Sequence, residues 1–375
     1  MDDLIPAVAF PPGDYLLEIL NDRGWSQIDF AEITGRAPKT VNEIIKGKSS
    51  ITPSTAKEIA AATDTNPLLW LNLETAYRLH HAREEPSPRI ARHARLRSKY
   101  PVRDMVLRHW IESSSDPVVL ENQIKGFFGI NDIDEEPRLM YAAKKTGYPE
   151  DVNGAQRAWL FRVKQLAMTM TLPKYSKKAL RAAIPQLREL LSSPSGINRV
   201  PKILNDCGVR LVVVEHVPSS KIDGVCFWLG KNADSPVIGM SLRLDRIDNF
   251  WFVLRHEIEH VLNGDGREVA MIDSNTGEVT TTSVSPEELR ANAAAANFCV
   301  PAVEMADFVM RHGRIVSEQH ILNFASRMGV HPGLVAGQIQ RRTANYRRFR
   351  RFLISVRPII APVAMTDGYG HTIRL

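Results

Sequence analysis

The feature that most constrains this chain is a segment in which an apolar run leads into two histidines. Residues 250–266 read FWFVLRHEIEHVLNGDG. His256 and His260 are four residues apart, so a helix would place both imidazoles on one face. The aromatic run would bury that helix in a core, and Gly264 and Gly266 would end it. Its charged residues must then pair with one another or with a bound ion.

The spacing His-Glu-x-x-His favours a zinc site with a neighbouring base. Two neutral imidazoles, those of His256 and His260, would hold the zinc ion. Glu257 lies one position round the helix, where it can face a water molecule and accept its proton. Zinc makes hydroxide available near neutral pH for attack on a carbonyl group. The alternative is a structural use of the segment, because the short motif also arises by chance.

A catalytic zinc requires a third protein ligand and an open coordination position. The best source of that ligand is residues 286–301, PEELRANAAAANFCVP. Pro286 can begin a helix, and Glu288 follows His260 by 28 residues, which allows a loop and a return. The small alanine side chains that follow would let two helices approach closely. Position alone leaves Glu287 as an alternative to Glu288.

A second constrained segment, residues 24–47, reads GWSQIDFAEITGRAPKTVNEIIKG. Ser26 is a favourable N-cap, Gly35 suits a left-handed C-cap, and Pro38 suits the first turn of a second helix. Gly47 would end that helix, and two short helices joined by a glycine-containing turn form a helix-turn-helix. The apolar positions expected to pack the two helices together are Ile28, Ala31, Val41 and Ile44.

In a helix-turn-helix the second helix enters the major groove of DNA. Asparagine can pair with adenine, threonine can touch the thymine methyl group, and lysines contact phosphates. The candidate DNA-contacting residues are Gln27, Arg36, Lys39, Thr40, Asn42, Glu43 and Lys46. The alternative is a helical hairpin without a DNA-binding role, since such hairpins are common.

The rest of the chain predicts a mainly α protein with a small β-sheet, an α+β fold. Stretches rich in β-branched or aromatic residues predict strands at 209–216, 224–230 and 235–243. Changes in pattern suggest three segments, residues 1–80, a helical linker or middle region at 81–192, and residues 193–375. Helices are expected to continue to about residue 350. The basic stretch at 340–358 is expected to form a C-terminal helix, either a second basic surface or a solvated face.

Composition narrows the class of protein. The 375 residues, 24% charged and 44% hydrophobic, indicate a globular chain with two or three domains. A formal net charge of +6 permits nucleic-acid binding without requiring it. The cysteines are few, far apart and odd in number, which indicates reduced thiols at Cys207, Cys226 and Cys299. Without a secretory signal or an apolar run of roughly 20 residues, we expect a cytoplasmic protein and no membrane partner.

Residues 10–80 resemble the HigA-type branch of the XRE family of helix-turn-helix proteins. The resemblance rests on PPG, SQIDFA, ITPSTA and the closing WLNLETAY. It implies a five-helix domain at residues 1–80 that binds operator DNA, usually as a homodimer on a palindrome, with a toxin as a further partner. Arg36-Ala37-Pro38 departs from the family pattern, because Pro38 lacks an N–H that would otherwise meet a phosphate.

Residues 195–335 resemble the ImmA/IrrE family of zinc-dependent peptidases. The resemblance rests on GVRLVVVEH, PVIGMSLRLDRIDNFWFVLRHEIEHVLNG and EELRANAAAANFCVP. It implies a zincin-like domain whose zinc ligands are His256, His260 and Glu288. It also implies that Glu257 is the general base.

Two positions depart from the pattern of that family. Glu259 stands where a small residue is common, and it would either lie at the surface or point into the cleft. Ala294 replaces the usual phenylalanine, with Phe298 as a possible substitute. The donor that would stabilise an oxyanion beside zinc is not identified by the motifs, and the candidates are His320, Arg327 and His331.

Together the resemblances imply a DNA-binding transcriptional regulator joined to a zinc-dependent endopeptidase at residues 193–375. Peptidases of this family typically cleave a helix-turn-helix repressor, so a regulator protein is the expected substrate. The alternative is an antitoxin or repressor whose zinc domain is a non-catalytic sensor or scaffold. A third hypothesis is a zinc-binding structural protein without DNA binding.

Overall fold

The computed structural model describes residues 10–82, 88–137, 139, 152–273, 285–313 and 315–374. The chain divides into two compact units, Met1–Ala91 and Arg92–Leu375. The first unit has one hydrophobic core, and the second has two cores on opposite faces of a sheet. The predicted α+β class is confirmed, since many helices accompany a single five-stranded sheet in the described residues.

The first unit contains five helices, α1 to α5, in agreement with the five-helix expectation. Their bounds are Pro12–Asp22, Gln27–Thr34, Pro38–Ile45, Pro53–Thr63 and Pro67–His81. Four of them carry proline in the first turn, where the missing N–H would have no helical partner. Trp70 is completely buried among these helices, and its Nε1 donates to Thr65 Oγ1 at 2.8 Å.

The turn between α2 and α3 follows the predicted signals. Ser26 Oγ accepts from the backbone N–H of Asp29 at 3.2 Å, and the Asp29 carboxylate accepts from Ser26 N at 2.7 Å. Gly35 closes α2 in the left-handed conformation with φ of 65°. Pro38 is the first residue of α3, and Gly47 follows its end with φ of 65°.

The predicted packing of α2 is wrong at Ile28, which is 60% exposed. Phe30 is 1% exposed and takes its place in the core, beside Ala31. Two residues along a helix rotate a side chain by about 200°, so Ile28 and Phe30 cannot both face inward. The larger apolar area of the phenylalanine ring favours its burial.

The second unit begins within α6 and places six helices before its first strand. The helices α6 to α11 are Pro88–Lys99, Val102–Leu107, Pro117–Phe128, Gly154–Thr169, Lys177–Glu189 and Val200–Asp206. Two 3₁₀ segments, Leu190–Ser192 and Pro194–Arg199, precede α11. The strands β1 to β3 are Arg210–Val214, Gly224–Leu229 and Ser235–Met240, close to the predicted positions.

The second half of this unit surrounds one long helix, α12 (Ile247–Asn263). The short strand β4 is Met271–Asp273. The helices α13 to α16 are Pro286–Cys299, Ala302–His312, Glu318–Met328 and Pro332–Thr343. The chain ends with a 3₁₀ turn, helix α17 and strand β5, at Arg350–Phe352, Arg357–Ile360 and Met365–Asp367.

The five strands form one mixed sheet in the order β4-β2-β3-β1-β5. β1 is parallel to β3 and β5, whereas β2 is antiparallel to β3 and β4. Alternate residues of β1 enter different cores, Leu211 and Val213 on one side, Val212 and Val214 on the other. Helices cover both faces, so the strands read as continuous apolar runs.

The middle region does not form a separate body between the two expected domains. Side chains of α6 to α9 share a core with Val212, Val225 and Phe227 on one face of the sheet. Helix α12 packs on the opposite face with the later helices. The sheet therefore lies between a layer from residues 96–167 and the layer that carries the two histidines.

The C-terminal basic stretch does not form the expected helix. Helix α16 ends at Thr343, Ala344 takes a left-handed φ of 51°, and Phe349 does so again at 59°. Strand β4 interrupts the run of helices predicted to about residue 350, and strand β5 lies beyond that run. Among the described residues, no single helix is both long and apolar enough to cross a bilayer. Two consecutive helices, Pro286–Cys299 and Ala302–His312, meet at an angle of 65°. They have the length and composition of a membrane span only when they are counted together.

Candidate functional site

Helix α12 brings the two histidines of the motif into the interior. His256 and His260 are each 1% exposed and lie one turn apart. Gly264 ends the helix with φ of 79°, and the backbone N–H of Asp265 returns to the His260 carbonyl at 3.0 Å. The apolar residues of the helix enter the core, as the sequence predicted, and the imidazoles face α13.

Three side chains converge at this point. His256 Nε2 and His260 Nε2 lie 3.0 Å apart. The Glu288 carboxylate lies 3.2 Å from the first nitrogen and 3.5 Å from the second. Tetrahedral zinc with bonds of about 2.0–2.1 Å separates its ligand atoms by about 3.3–3.4 Å. The three donors thus fit one metal ion, and they form one of two metal-compatible groups in the described residues.

Helix α13 places Glu288 rather than Glu287 in the group. Ser285 Oγ caps the helix by accepting from Glu288 N at 3.3 Å. Ala291 and Ala295 are completely buried, which allows α13 to lie close against α12. The Glu287 carboxylate meets its own backbone N–H and Ser285, which lower its pKa. Of the two glutamates that the sequence left open, only Glu288 reaches the histidines.

Glu257 is completely buried beside the histidines. Neither carboxylate oxygen has a hydrogen-bond partner among the described residues, a costly state unless a ligand or ion completes the site. Burial, with the charges of Asp273 and Glu288, raises its pKa well above the usual range. Gly224 of β2 makes room for it, because a Cβ there would lie 2.3 Å from Glu257 Oε1.

Asp265 and Asp273 complete the site and were not identified from the sequence. Asp265 Oδ2 lies 3.0 Å from His260 Nδ1, which leaves Nε2 free to face the other donors. Trp228 Nε1 donates to the Asp265 carbonyl at 2.8 Å and holds this turn against β2. Asp273 forms the second metal-compatible group with His256 and Glu257, and burial raises its pKa to about 6.

The charges of the site are arranged around the two imidazoles. Burial disfavours the Glu288 carboxylate, but hydrogen bonds from His256 and His260 outweigh it and bring its pKa to about 2. Burial lowers the pKa of His260, but Glu288 and Asp265 outweigh it and the net shift is upward. Such a set of carboxylates around two imidazole nitrogens favours a cation at the centre.

In the first unit the candidate DNA-contacting residues lie on α2, on α3 and in the turn between them, except Lys46, which is the C-cap of α3. The Arg36 guanidinium is held at 2.5 Å by Glu58 and at 3.0 Å by Thr55 Oγ1, so it is already paired within the unit. Lys39 and Lys46 are exposed. Four other candidates are partly exposed, and their side chains form no hydrogen bond with a described residue: Gln27, Thr40, Asn42 and Glu43.

Two family models match the chain, one in each unit. A helix-turn-helix model matches residues 16–71. The peptidase M78 model, described as an IrrE N-terminal-like domain, matches residues 208–339. The chain is also 34% identical over 71 residues to the HTH-type transcriptional regulator YddM of Escherichia coli strain K12. That match spans 19% of this chain and 76% of YddM. The chain belongs to the HTH-type regulators and carries an IrrE-like domain.

Two solved structures are each similar to a part of this chain. An antidote protein of a plasmid maintenance system from Nostoc punctiforme is 37% identical over 20% of this chain and 80% of its own, with a TM-score of 0.19. An addiction module antidote protein of the HigA family from Coxiella burnetii is 27% identical over 24% of this chain and 91% of its own, with a TM-score of 0.19.

The IrrE-like match includes all three metal-compatible donors and ends before α16 does. Within it, Glu259 turns away from the donors and pairs with Arg255 at 2.7 Å and Asn263 at 3.1 Å. All three candidate oxyanion donors have local partners, since the Arg327 guanidinium pairs with the Glu304 carboxylate at 3.2 Å. His331 Nδ1 accepts from Gly333 N at 3.1 Å, and His320 lies in a capping box with Ser317.

Proposed function

We propose that this HTH-type regulator binds operator DNA through its first unit and hydrolyses a peptide bond of a regulator protein at a zinc site in its IrrE-like domain. The observation that carries the proposal is the convergence of His256, His260 and Glu288 beside an unpaired Glu257 carboxylate. The order of the two family matches along the chain supports the pairing of DNA binding with proteolysis.

The residues of the site would divide the work of hydrolysis. His256, His260 and Glu288 would hold zinc, which supplies positive charge that polarises the scissile carbonyl and acidifies a water. Glu257 accepts the proton of the attacking water at a carboxylate oxygen and returns it to the leaving nitrogen. A cation at the site offsets the burial and the neighbouring carboxylates that raise the pKa of Glu257.

Metal content tests the site directly. Purified wild-type chain should contain about one zinc ion, and His260→Ala should lose it, because only two of the three donors remain. Circular dichroism of both chains checks that the variant is folded. Absence of zinc in the wild type, after incubation with the ion at neutral pH, would remove the peptidase proposal.

Proteolysis requires a substrate, and a second copy of this chain is the first candidate. A tagged Glu257→Gln chain, which cannot cut itself, is mixed with untagged wild type and zinc, and its fragments are mapped by mass spectrometry. Separate helix-turn-helix regulator proteins are the next substrates to be tested. We expect Glu257→Gln to keep zinc and DNA affinity but to lose about 10²–10⁴-fold in cleavage rate.

Operator binding has its own test. Gel mobility shifts with fragments of the neighbouring promoter should show a specific complex, formed by a homodimer on a palindromic site. Lys39→Ala should weaken binding to all fragments and reduce the salt slope by about 1, whereas Asn42→Ala should relax preference at one base pair. Equal binding of every fragment by wild type and both variants would contradict this role for the first unit.

A second candidate is an antitoxin or repressor in which the zinc domain is a scaffold or sensor. The observation that favours it is the closure of the centre, since the Glu257 side chain and both imidazoles are essentially inaccessible. The first candidate has the better support because Glu288 remains 25% exposed and gives the group an open side. Unchanged gene regulation in a Glu257→Gln strain, with zinc still required for folding, would favour the scaffold. A toxin that co-purifies with the chain would identify an antitoxin.

A further inference from the structure

A cavity of about 120 Å³ lies between α12, α13 and α16, next to the group of metal-compatible donors. Phe252 forms part of its wall, one helical turn before His256, and the two rings lie 6.3 Å apart. Ala296 and Leu334 add apolar surface on the other two helices. An apolar cavity of about 150 Å³ is enough to bind benzene, so this one suits a side chain of leucine size.

The acidic residue of the cavity is already neutralised. Asp248 Oδ2 accepts from Arg246 at 2.7 Å, and Arg246 also reaches Gln340 at 2.9 Å. Gly337 packs directly on this carboxylate, because a Cβ at that position would lie 2.1 Å from Asp248 Oδ2. The cavity therefore presents no free carboxylate to an incoming ligand.

The rim of the cavity is cationic. Arg341 and Arg342 line it, both are exposed, and neither forms an ion pair with a described residue. The Arg341 guanidinium carbon lies 4.0 Å above the centre of the Phe252 ring. This cation–π contact holds the guanidinium over the ring, and its N–H groups can bind a carboxylate. The apolar wall and the fixed positive charge thus occur side by side.

The cavity lies at a distance from the histidines that a bound peptide substrate can span. Phe252 precedes His256 by four residues and Ala296 follows Glu288 by eight, which corresponds to about 6 Å and 12 Å along the two helices. An extended peptide advances about 3.3 Å per residue. A substrate residue two to four positions from the bond near the histidines would reach the cavity.

We propose that this cavity is a specificity pocket of the peptidase cleft, which takes a leucine-sized apolar side chain from an acidic substrate segment, with Arg341 binding a neighbouring carboxylate. The inference rests on the proposed function, since it describes the substrate of that site. It selects segments in which leucine or methionine stands beside aspartate or glutamate, and it disfavours tryptophan because of its size.

Binding without cleavage tests the pocket. Zinc-treated Glu257→Gln chain is titrated into fluorescent peptides that carry one central leucine flanked by alternating alanine and glutamate. Matched peptides replace every glutamate with glutamine, or the leucine with tryptophan. Fluorescence anisotropy should show about fivefold weaker binding for each replacement, as expected for loss of one charged contact or one well-placed apolar group.

Matched variants assign the effect to this cavity. Arg341→Ala in the same background should abolish the preference for glutamate, and Ala296→Leu, which fills the cavity, should abolish the preference for leucine. Arg350→Ala is the control, because Arg350 is exposed and does not line the cavity. Melting curves confirm that each variant is folded.

The outcomes separate the two proposals. Equal binding of acidic and neutral peptides, or equal loss in Arg341→Ala and Arg350→Ala, overturns the pocket. Loss of duplex DNA binding in Arg341→Ala without any peptide preference also overturns it and assigns the rim to nucleic acid. A preference that depends on Arg341, with no cleavage of any peptide by the wild type, supports the pocket and refutes the peptidase.

Discussion

Removal of the Asp265 carboxylate tests whether the metal donors are held in position before a metal binds. Its Oδ2 lies 3.0 Å from His260 Nδ1, and the turn that carries it is fixed to β2 through Trp228. Loss of such a carboxylate partner typically costs about 10–100-fold in metal affinity, or about 1.4–2.7 kcal/mol. Because Asp265 is 15% exposed, little water can replace it, so we expect Asp265→Ala near the upper end. Asp265→Asn keeps an acceptor oxygen and should lie near the lower end.

The assay is competition for zinc against a chromophoric chelator at constant pH. Glu259→Gln is the matched control, because that carboxylate lies on α12 but pairs with Arg255 and Asn263. Melting temperatures without zinc show whether Asp265→Ala changes the apo fold. Equal zinc affinity in wild type and Asp265→Ala, with His260→Ala inactive in binding, would refute the claim that this carboxylate orients the ring.

Three further predictions concern other parts of the chain. Gly224→Ala should keep zinc but lower cleavage by about 10²-fold, as a Cβ displaces the Glu257 carboxylate; zinc content and cleavage are measured together. Glu121→Gln should reduce the free energy of unfolding by about 1–2 kcal/mol at pH 7, because a hydrogen bond from Arg92, and a weaker contribution from Lys125, bring the pKa of Glu121 to about 2. That difference should shrink as the pH falls from 4.5 toward 2, which urea unfolding across pH would show. Ser26→Ala should speed amide exchange in α2 about fivefold, through loss of a cap of about 1 kcal/mol.

Local signals were the most informative part of the sequence. Ser26, Gly35 and Pro38 act through the backbone of their own helices, so no knowledge of the fold was needed to interpret them. The spacing of His256 and His260 likewise follows from helix geometry alone. These features could be predicted because each depends on residues within one or two helical turns.

Features that depend on distant parts of the chain could not be predicted in this way. Only the packed unit shows that Phe30 faces the core while Ile28 faces solvent. Asp265 and Asp273 carry no recognisable motif, and both reach the site through the turn and strand after α12. The nearest available signal for Asp265 was its place immediately after Gly264, where a left-handed residue turns the chain back toward His260.

The pairing of β5 with β1 has a consequence for synthesis of the chain. Asp367 is the last residue of β5, an edge strand of the sheet; it is 3% exposed and contacts the buried Arg162 guanidinium and Trp110 Nε1. The ribosome adds 205 residues between Arg162 and Asp367, which at about 5–20 residues per second takes roughly 10–40 s. During that interval Arg162 lacks the carboxylate with which it pairs in the folded protein, whereas synthesis of the five-helix unit is already complete. The nascent chain thus carries a folded helix-turn-helix unit attached to an incomplete sheet. We expect chaperones to bind the chain mainly during this interval.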